Sequence, residues 1–150
     1  MTDLKIPFLD EVEPGYEDDL VAWTERQIAL LRARRFEQVD VDNLLEELEG
    51  MLIEHRRELK SRLQVLMIHL LKFRHQPERK SHGWSATLDE QRSRIQLLLE
   101  ESPSLKRHVQ DYADGRYAIA VKLASRETQL PVAAFPAELP FSVSELLDID

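Results

Sequence analysis

The 150-residue chain has no cysteine, which excludes a disulfide framework, a thiolate metal site and a cysteine nucleophile. Glycine is scarce, with four in the whole chain, and this suits helices better than sheets and tight turns. A hydrophobic run long enough to span a bilayer is missing too. The longest apolar stretch, Val65–Leu71, is far too short. The first residues lack the basic-then-apolar pattern of a signal segment, so a cytoplasmic chain with no membrane partner is the default expectation. Basic residues are absent from the last twenty positions, which hold four acids. The first twenty hold seven acids and one lysine. These ends carry −6 and −4 of the net −8, leaving +2 for residues 21–130. The acidity therefore belongs to the arms, and the total implies neither strong nucleic-acid affinity nor strong repulsion.

What is present is helical patterning. Between Asp42 and Gln76 no proline intervenes, and Leu44, Leu48, Leu52, His55, Leu59, Leu63, Leu66, Leu70 and Phe73 recur at steps of three and four. That spacing predicts one long helix with an apolar face. Asp42 is the expected cap, with Glu46, Glu47 and Glu49 near the positive end of the dipole. Lys72 and Arg74 suit the last turn, and Pro77 ends it. Gly50 is the weak point. The stripe is narrow and flanked by charge as far as Arg62, whereas Val65–Leu71 is apolar nearly all round and should be buried on every side.

Around this helix the chain supplies shorter pieces. Residues 1–15, with Pro7, Pro14 and Gly15, form an expected extended arm, and residues 16–148 a single helical domain. Helix one is expected from Glu17 to Arg34, with Leu20, Trp23, Gln27, Ile28 and Leu31 inward. Phe36–Val41 is a connection whose apolar residues plug the bundle end. Ser81 caps a third helix, His82–Glu101, with Trp84, Leu88, Gln91, Ile95 and Leu98 on its stripe. Ser102-Pro103 opens a fourth, running to Thr128 and facing Leu105, Val109, Tyr112, Tyr117, Ala120 and Ala124 inward. Pro131–Ala134 is a possible single turn, and Ser142–Glu145 fits a capping box for a last turn through Leu147. Short connections favour antiparallel neighbours. The predicted fold is all-α: an antiparallel bundle of four main helices around the long central one.

Ala22-Trp23, Asp42–Glu49, Arg57–Leu63, His69–Lys72, Gln76–Arg79, Trp84, Ser102–Leu105, Pro131, Ala134–Pro136 and Leu146–Asp148 together resemble a bacterial family, the domain of unknown function numbered twenty-nine. The likeness covers roughly residues 16–148. It implies an almost wholly helical fold and brings no activity, substrate or cofactor.

Two constellations carry chemistry worth weighing. His69 sits inside the apolar run, and its plainer reading is a core histidine bonded to a backbone carbonyl or another helix. With Arg62 seven residues earlier it also has the spacing of a phosphate-holding arginine beside a proton-carrying histidine, as in a small helical ribonuclease. Glu58, one turn before Arg62, offers the ordinary ion pair instead. Lys72, Arg74, Arg79 and Lys80, with His75, His82 and Trp84, form a basic cluster at the start of helix three, where free amides favour an anion. Arg92 and Arg94 can extend it, and a solvated loop with helix-end charges is the plainer reading. No metal is expected in the bundle, because the residues three before the histidines are Leu52, Leu66, Lys72, Arg79 and Leu105, never Glu. No cofactor is expected either.

The sequence thus points to a non-enzymatic cytoplasmic module that binds another protein, of the size of an antitoxin or small regulatory subunit, and dimeric. The alternative is a phosphate-ligand or RNA-binding domain, including a ribonuclease, using loop 72–82.

Overall fold

Asp40 decides where the long helix begins. Its carboxylate accepts from Asn43 Nδ2 at 2.8 Å and from the Trp23 indole at 2.9 Å, and its carbonyl takes the Leu44 amide at 3.0 Å. The Asn43 backbone amide also donates to this carboxylate, so an aspartate just before the first helical residue answers a first-turn N–H that has no partner inside the helix. Helix α2 therefore runs Val41–His75, 35 residues without a break at Gly50. Asp42, expected as the cap, lies within the first turn.

The computed structural model describes residues 15–76, 78 and 82–148, which form helices and short helical turns with no strand. The fold is all-α, as the periodicity requires. The arm over residues 1–14, Pro77 and the expected cap Ser81 lie outside the described residues. The chain divides after Leu52 into two compact units, and α2 contributes to both.

In the first unit, helix α1 spans Leu20–Arg32. It starts three residues later than expected because Asp19 is the cap, accepting from the Ala22 amide at 3.0 Å. It stops where Arg34 turns left-handed, at φ 57°, and the Arg35 amide reaches back to the Leu30 carbonyl. A 3₁₀ turn, Phe36–Gln38, leads to α2. Tyr16 donates to Glu47 at 2.5 Å and Trp23 to Asp40. As one number rises the other falls by the same amount, so α1 and α2 are antiparallel.

The buried row of α1 is Trp23, Gln27 and Leu30. Gln27 accepts the Asp40 amide at 2.8 Å, so its burial strands no acceptor. Leu20, Ile28 and Leu31, expected inward, are exposed, and so is Phe36, expected as a plug. Helix α1 carries two apolar rows side by side, and the row holding the indole and the amide is the one that meets hydrogen-bond partners.

The second unit holds the core. Here α2 from Ile53 packs with helix α3, His82–Glu101, and helix α4, Val109–Thr128. Arg62 meets Gln91 and Phe73 meets Trp84, an antiparallel register for α2 and α3. Lys60 meets Tyr112 and Lys72 meets Glu127, a parallel one for α2 and α4. Leu59, Leu63, Leu66, Met67 and Leu71 are wholly enclosed with Ile95, Val109, Ala113, Ala120 and Ala124. Small residues on α4 let its backbone come close. The run expected to be buried all round is enclosed at Leu66, Met67, Ile68 and Leu71 and half-buried at Val65, His69 and Leu70.

Pro103–His108 is a 3₁₀ helix rather than the first turns of α4, and the Ser102 side chain makes no capping bond. The chain then passes through a 3₁₀ turn, Val132–Ala134, to helix α5, Val143–Leu147, where Ser142 accepts the Glu145 amide at 3.1 Å as the capping box predicts.

Candidate functional site

Of the described members of the basic cluster, Lys72 and Trp84 meet, whereas Arg74 and His75 turn to other neighbours. Residues two apart on a helix point in different directions. Lys72 Nζ lies 2.8 Å from Glu127 Oε2 and 4.6 Å from the centre of the Trp84 ring. Arg74 instead lies over Phe141, 4.8 Å from the ring centre, with Glu145 at 3.8 Å. Each cation has a carboxylate and an aromatic face from its own chain, and Lys72 is largely shielded, with 12% of its side chain exposed. His75, from the same group, packs edge-on against Phe135 with its Nε2 buried and unpartnered. Arg79, Lys80 and the side chain of His82 lie outside the described residues. Arg92 joins Arg74 at Glu145, donating to the carbonyls of Glu145 and Leu146, and the two line one pocket with Phe141, whereas Arg94 pairs with Glu90 at 2.8 Å.

Arg62 and His69 serve different neighbours. His69 Nδ1 is 2.9 Å from the Val65 carbonyl one turn back, the ordinary way to satisfy a half-buried imidazole on a helix. Arg62 is held by Gln91 at 3.4 Å and Glu58 at 3.8 Å. It lines an open groove of about 590 Å³ that also includes His55, Arg57 and Glu54 but not His69. His55, expected in a core slot, is exposed on the wall of that groove. Glu54 answers Arg57 at 3.0 Å as Glu58 answers Arg62, so the groove is mixed in charge and does not concentrate one sign. Among the described residues no group of three or more His, Asp or Glu is placed to hold a metal ion. No helix among them is long and apolar enough to cross a membrane.

The first unit presents a different kind of surface. Val41, Leu45, Leu48 and Leu52 continue the four-three spacing that buries Leu59, Leu63 and Leu66 further on, yet each is about half exposed, between 46% and 54%. The flank of α2 that carries Asn43 and Glu47 meets Asp40 and Tyr16, and the leucine row lies on a different side of the helix. On α1 the exposed Leu20, Ile28 and Leu31 stand to the same rotational side of its buried row. In the register set by Tyr16 with Glu47 and Trp23 with Asp40, Leu20 lies level with the start of the α2 row, whereas Ile28 and Leu31 lie beside the connection before α2, so the α2 row is a face of its own. Exposed Asp42, Glu46 and Glu49 run alongside this row on α2.

Sequence reasoning missed this face by assuming that every apolar row is a buried one. The available signal was that α1 carries two such rows while a helix pair has only one seam.

A family model described as Domain of unknown function DUF29 matches residues 16–150. The chain belongs to that family. The resemblance seen in the motifs is thereby established over both units of this DUF29 chain. No curated protein and no solved structure matches it.

Proposed function

We propose that this DUF29 chain is a non-enzymatic, cytoplasmic protein-interaction module whose working surface is the apolar face of the α1–α2 unit. The observation that carries the reading is the half-exposed leucine row Leu45, Leu48 and Leu52, spaced like the enclosed row later in the same helix. Folded chains seldom leave contiguous apolar surface to water without a use, and a row at helical spacing is the form in which helices dock on helices. The engagement of Lys72 by Glu127 and of Arg74 by Glu145 favours this reading over an anion-binding one. So does the separation of Arg62 from His69, which leaves the arginine–histidine pair without a shared site. The role of a small regulatory subunit or antitoxin-like module fits these features.

A photo-crosslinking residue at position 48 tests the reading in growing cells. The expected result is an adduct with a protein at position 48 and none at position 97, an exposed leucine on α3. Absence of any protein adduct at position 48 overturns it.

A further inference from the structure

We propose that the second unit holds an anion site between α2 and α4, and that it takes a small phosphate monoester carrying a hydroxyl group. Lys60 of α2 and Asp111, Tyr112, Gly115 and Arg116 of α4 line one open pocket of about 200 Å³. Sites for drug-sized ligands run to roughly 300–1,000 Å³, so the occupant here is a compact molecule.

Counter-ions single out this pocket. Arg57, Arg62, Lys72, Arg74 and Arg94 each have a carboxylate of the chain at 3.8 Å or less. Lys60 and Arg116 are half-buried, and among the described residues neither makes an ion pair. Partly desolvated cations without a counter-ion carry a cost that an incoming anion relieves. Lys60 is positioned by a ring instead. Its Nζ lies 4.7 Å from the centre of the Tyr112 ring, and His108 stacks on the same ring at 5.2 Å. Arg107 in turn donates to His108 Nε2 at 3.2 Å. A cation held by an aromatic face keeps its charge, and one already in place costs less to order when a ligand binds.

Gly115 gives the pocket its room. It lies inside α4, where glycine is less stable than alanine, yet a Cβ built there would meet nothing within 4 Å. The fold of the single chain gains nothing from the missing side chain, whereas a ligand gains access to the α4 backbone. Asp111 then sets the kind of anion. A bare phosphate meets this carboxylate as a like charge. A monoester places its phosphate between Lys60 and Arg116 and donates its hydroxyl to Asp111.

An amide NMR titration of the full chain with glycerol phosphate and with inorganic phosphate tests the proposal. Saturable shifts are expected at residues 60 and 111–116, with glycerol phosphate bound the more tightly. Arg116→Ala and Lys60→Ala should each weaken glycerol phosphate about tenfold, the loss of one charge-assisted hydrogen bond. Asp111→Ala should tighten inorganic phosphate and abolish the preference for the ester. Gly115→Ala should weaken the ester while raising the urea midpoint, which separates lost binding from a lost fold. Gly50→Ala should raise the midpoint and leave binding alone. The proposal falls if neither probe gives a saturable shift, if Arg116→Ala binds as wild type does, or if wild type binds both probes alike.

Discussion

The indole of Trp23 donates to Asp40 Oδ2 at 2.9 Å, and this bond locks α1 to the residue that starts α2. Asp40 serves two masters with one carboxylate. It accepts from Asn43 through both the side chain and, as a helix cap, the backbone amide, and it takes the Trp23 N–H as the polar end of a ring that is otherwise buried. The hydrogen bond from Asn43, then that from Trp23, hold the Asp40 carboxyl below its ordinary value of 3.8, against the opposing effect of burial.

Asp40→Ala should therefore cost about 2 kcal/mol, from a lost cap and a buried indole donor without an acceptor. Asp40→Asn, which keeps an oxygen for Trp23, should cost less. A double-mutant cycle with Trp23→Phe, read by urea denaturation, should be non-additive, since either change alone breaks the shared bond. The lowered carboxyl fixes the pH window as well. Its contribution is complete above the ordinary value of 3.8 and fades as pH falls through the lowered folded value, so acid should narrow the gap between wild type and Asp40→Asn.

Tyr16 gives the alkaline counterpart. Its hydroxyl donates to Glu47, and that bond, then burial, then the charges of Glu47, Glu46 and Glu17 push the phenol up to about 12. A raised value stabilises the folded chain below the ordinary 10.0 and is lost as pH rises towards 12. Wild type should exceed Tyr16→Phe in stability by a constant margin up to pH 10, and the margin should shrink between 10 and 12. Tyrosinate absorbance should show one phenol ionising last in that range and absent from Tyr16→Phe. An unchanged margin or an ordinary titration would remove Tyr16 from the α1–α2 contact.

How much of this was legible follows from which residues act locally. His82–Glu101 and the Ser142 box are readable because apolar spacing and a cap lie next to each other in sequence. The periodicity of α2 is equally plain from Leu44 to Phe73. What periodicity omits is which apolar row finds a neighbour. Leu48 and Leu63 look alike in sequence, yet one is half exposed and the other enclosed, because cover is supplied from far along the chain. Asp40 was overshadowed by Asp42, which stands closer to the leucines, and only the Trp23 contact 17 residues away distinguishes them. In the basic cluster, charge was legible and pairing was not. Glu127 and Glu145 come from segments far beyond the loop.

Gly50 and Gly115 lie inside α2 and α4 with no positive φ, and a Cβ built on either would meet nothing within 4 Å. Nothing on the described chain requires glycine at these two positions. Gly50→Ala and Gly115→Ala should each stabilise by roughly 1 kcal/mol, the helix-propensity difference, measured as a higher urea midpoint at unchanged slope. A loss of stability at Gly50 would mean that another group approaches the backbone there.

Arg92 explains how a helix of five residues persists. Helix α5 is too short to hold itself, and the last carbonyls of any helix lack internal donors. Arg92 supplies Nε to Leu146 O at 3.0 Å and Nη2 to Glu145 O at 2.8 Å, and Gln96 reaches Leu147 O at 3.3 Å. These bonds seat Leu146 and Leu147 in the core, where both are buried. The guanidinium does this as a planar fork on two adjacent carbonyls, with its positive charge at the negative end of the helix. Arg92→Ala should cost about 2 kcal/mol, and Arg92→Lys should recover little, because an ammonium cannot span both oxygens in that geometry. Hydrogen exchange should show the effect first at residues 143–147, with α1 and the first turns of α2 unchanged. Full recovery by lysine would mean that charge alone, not the fork, holds the C-terminal helix in place.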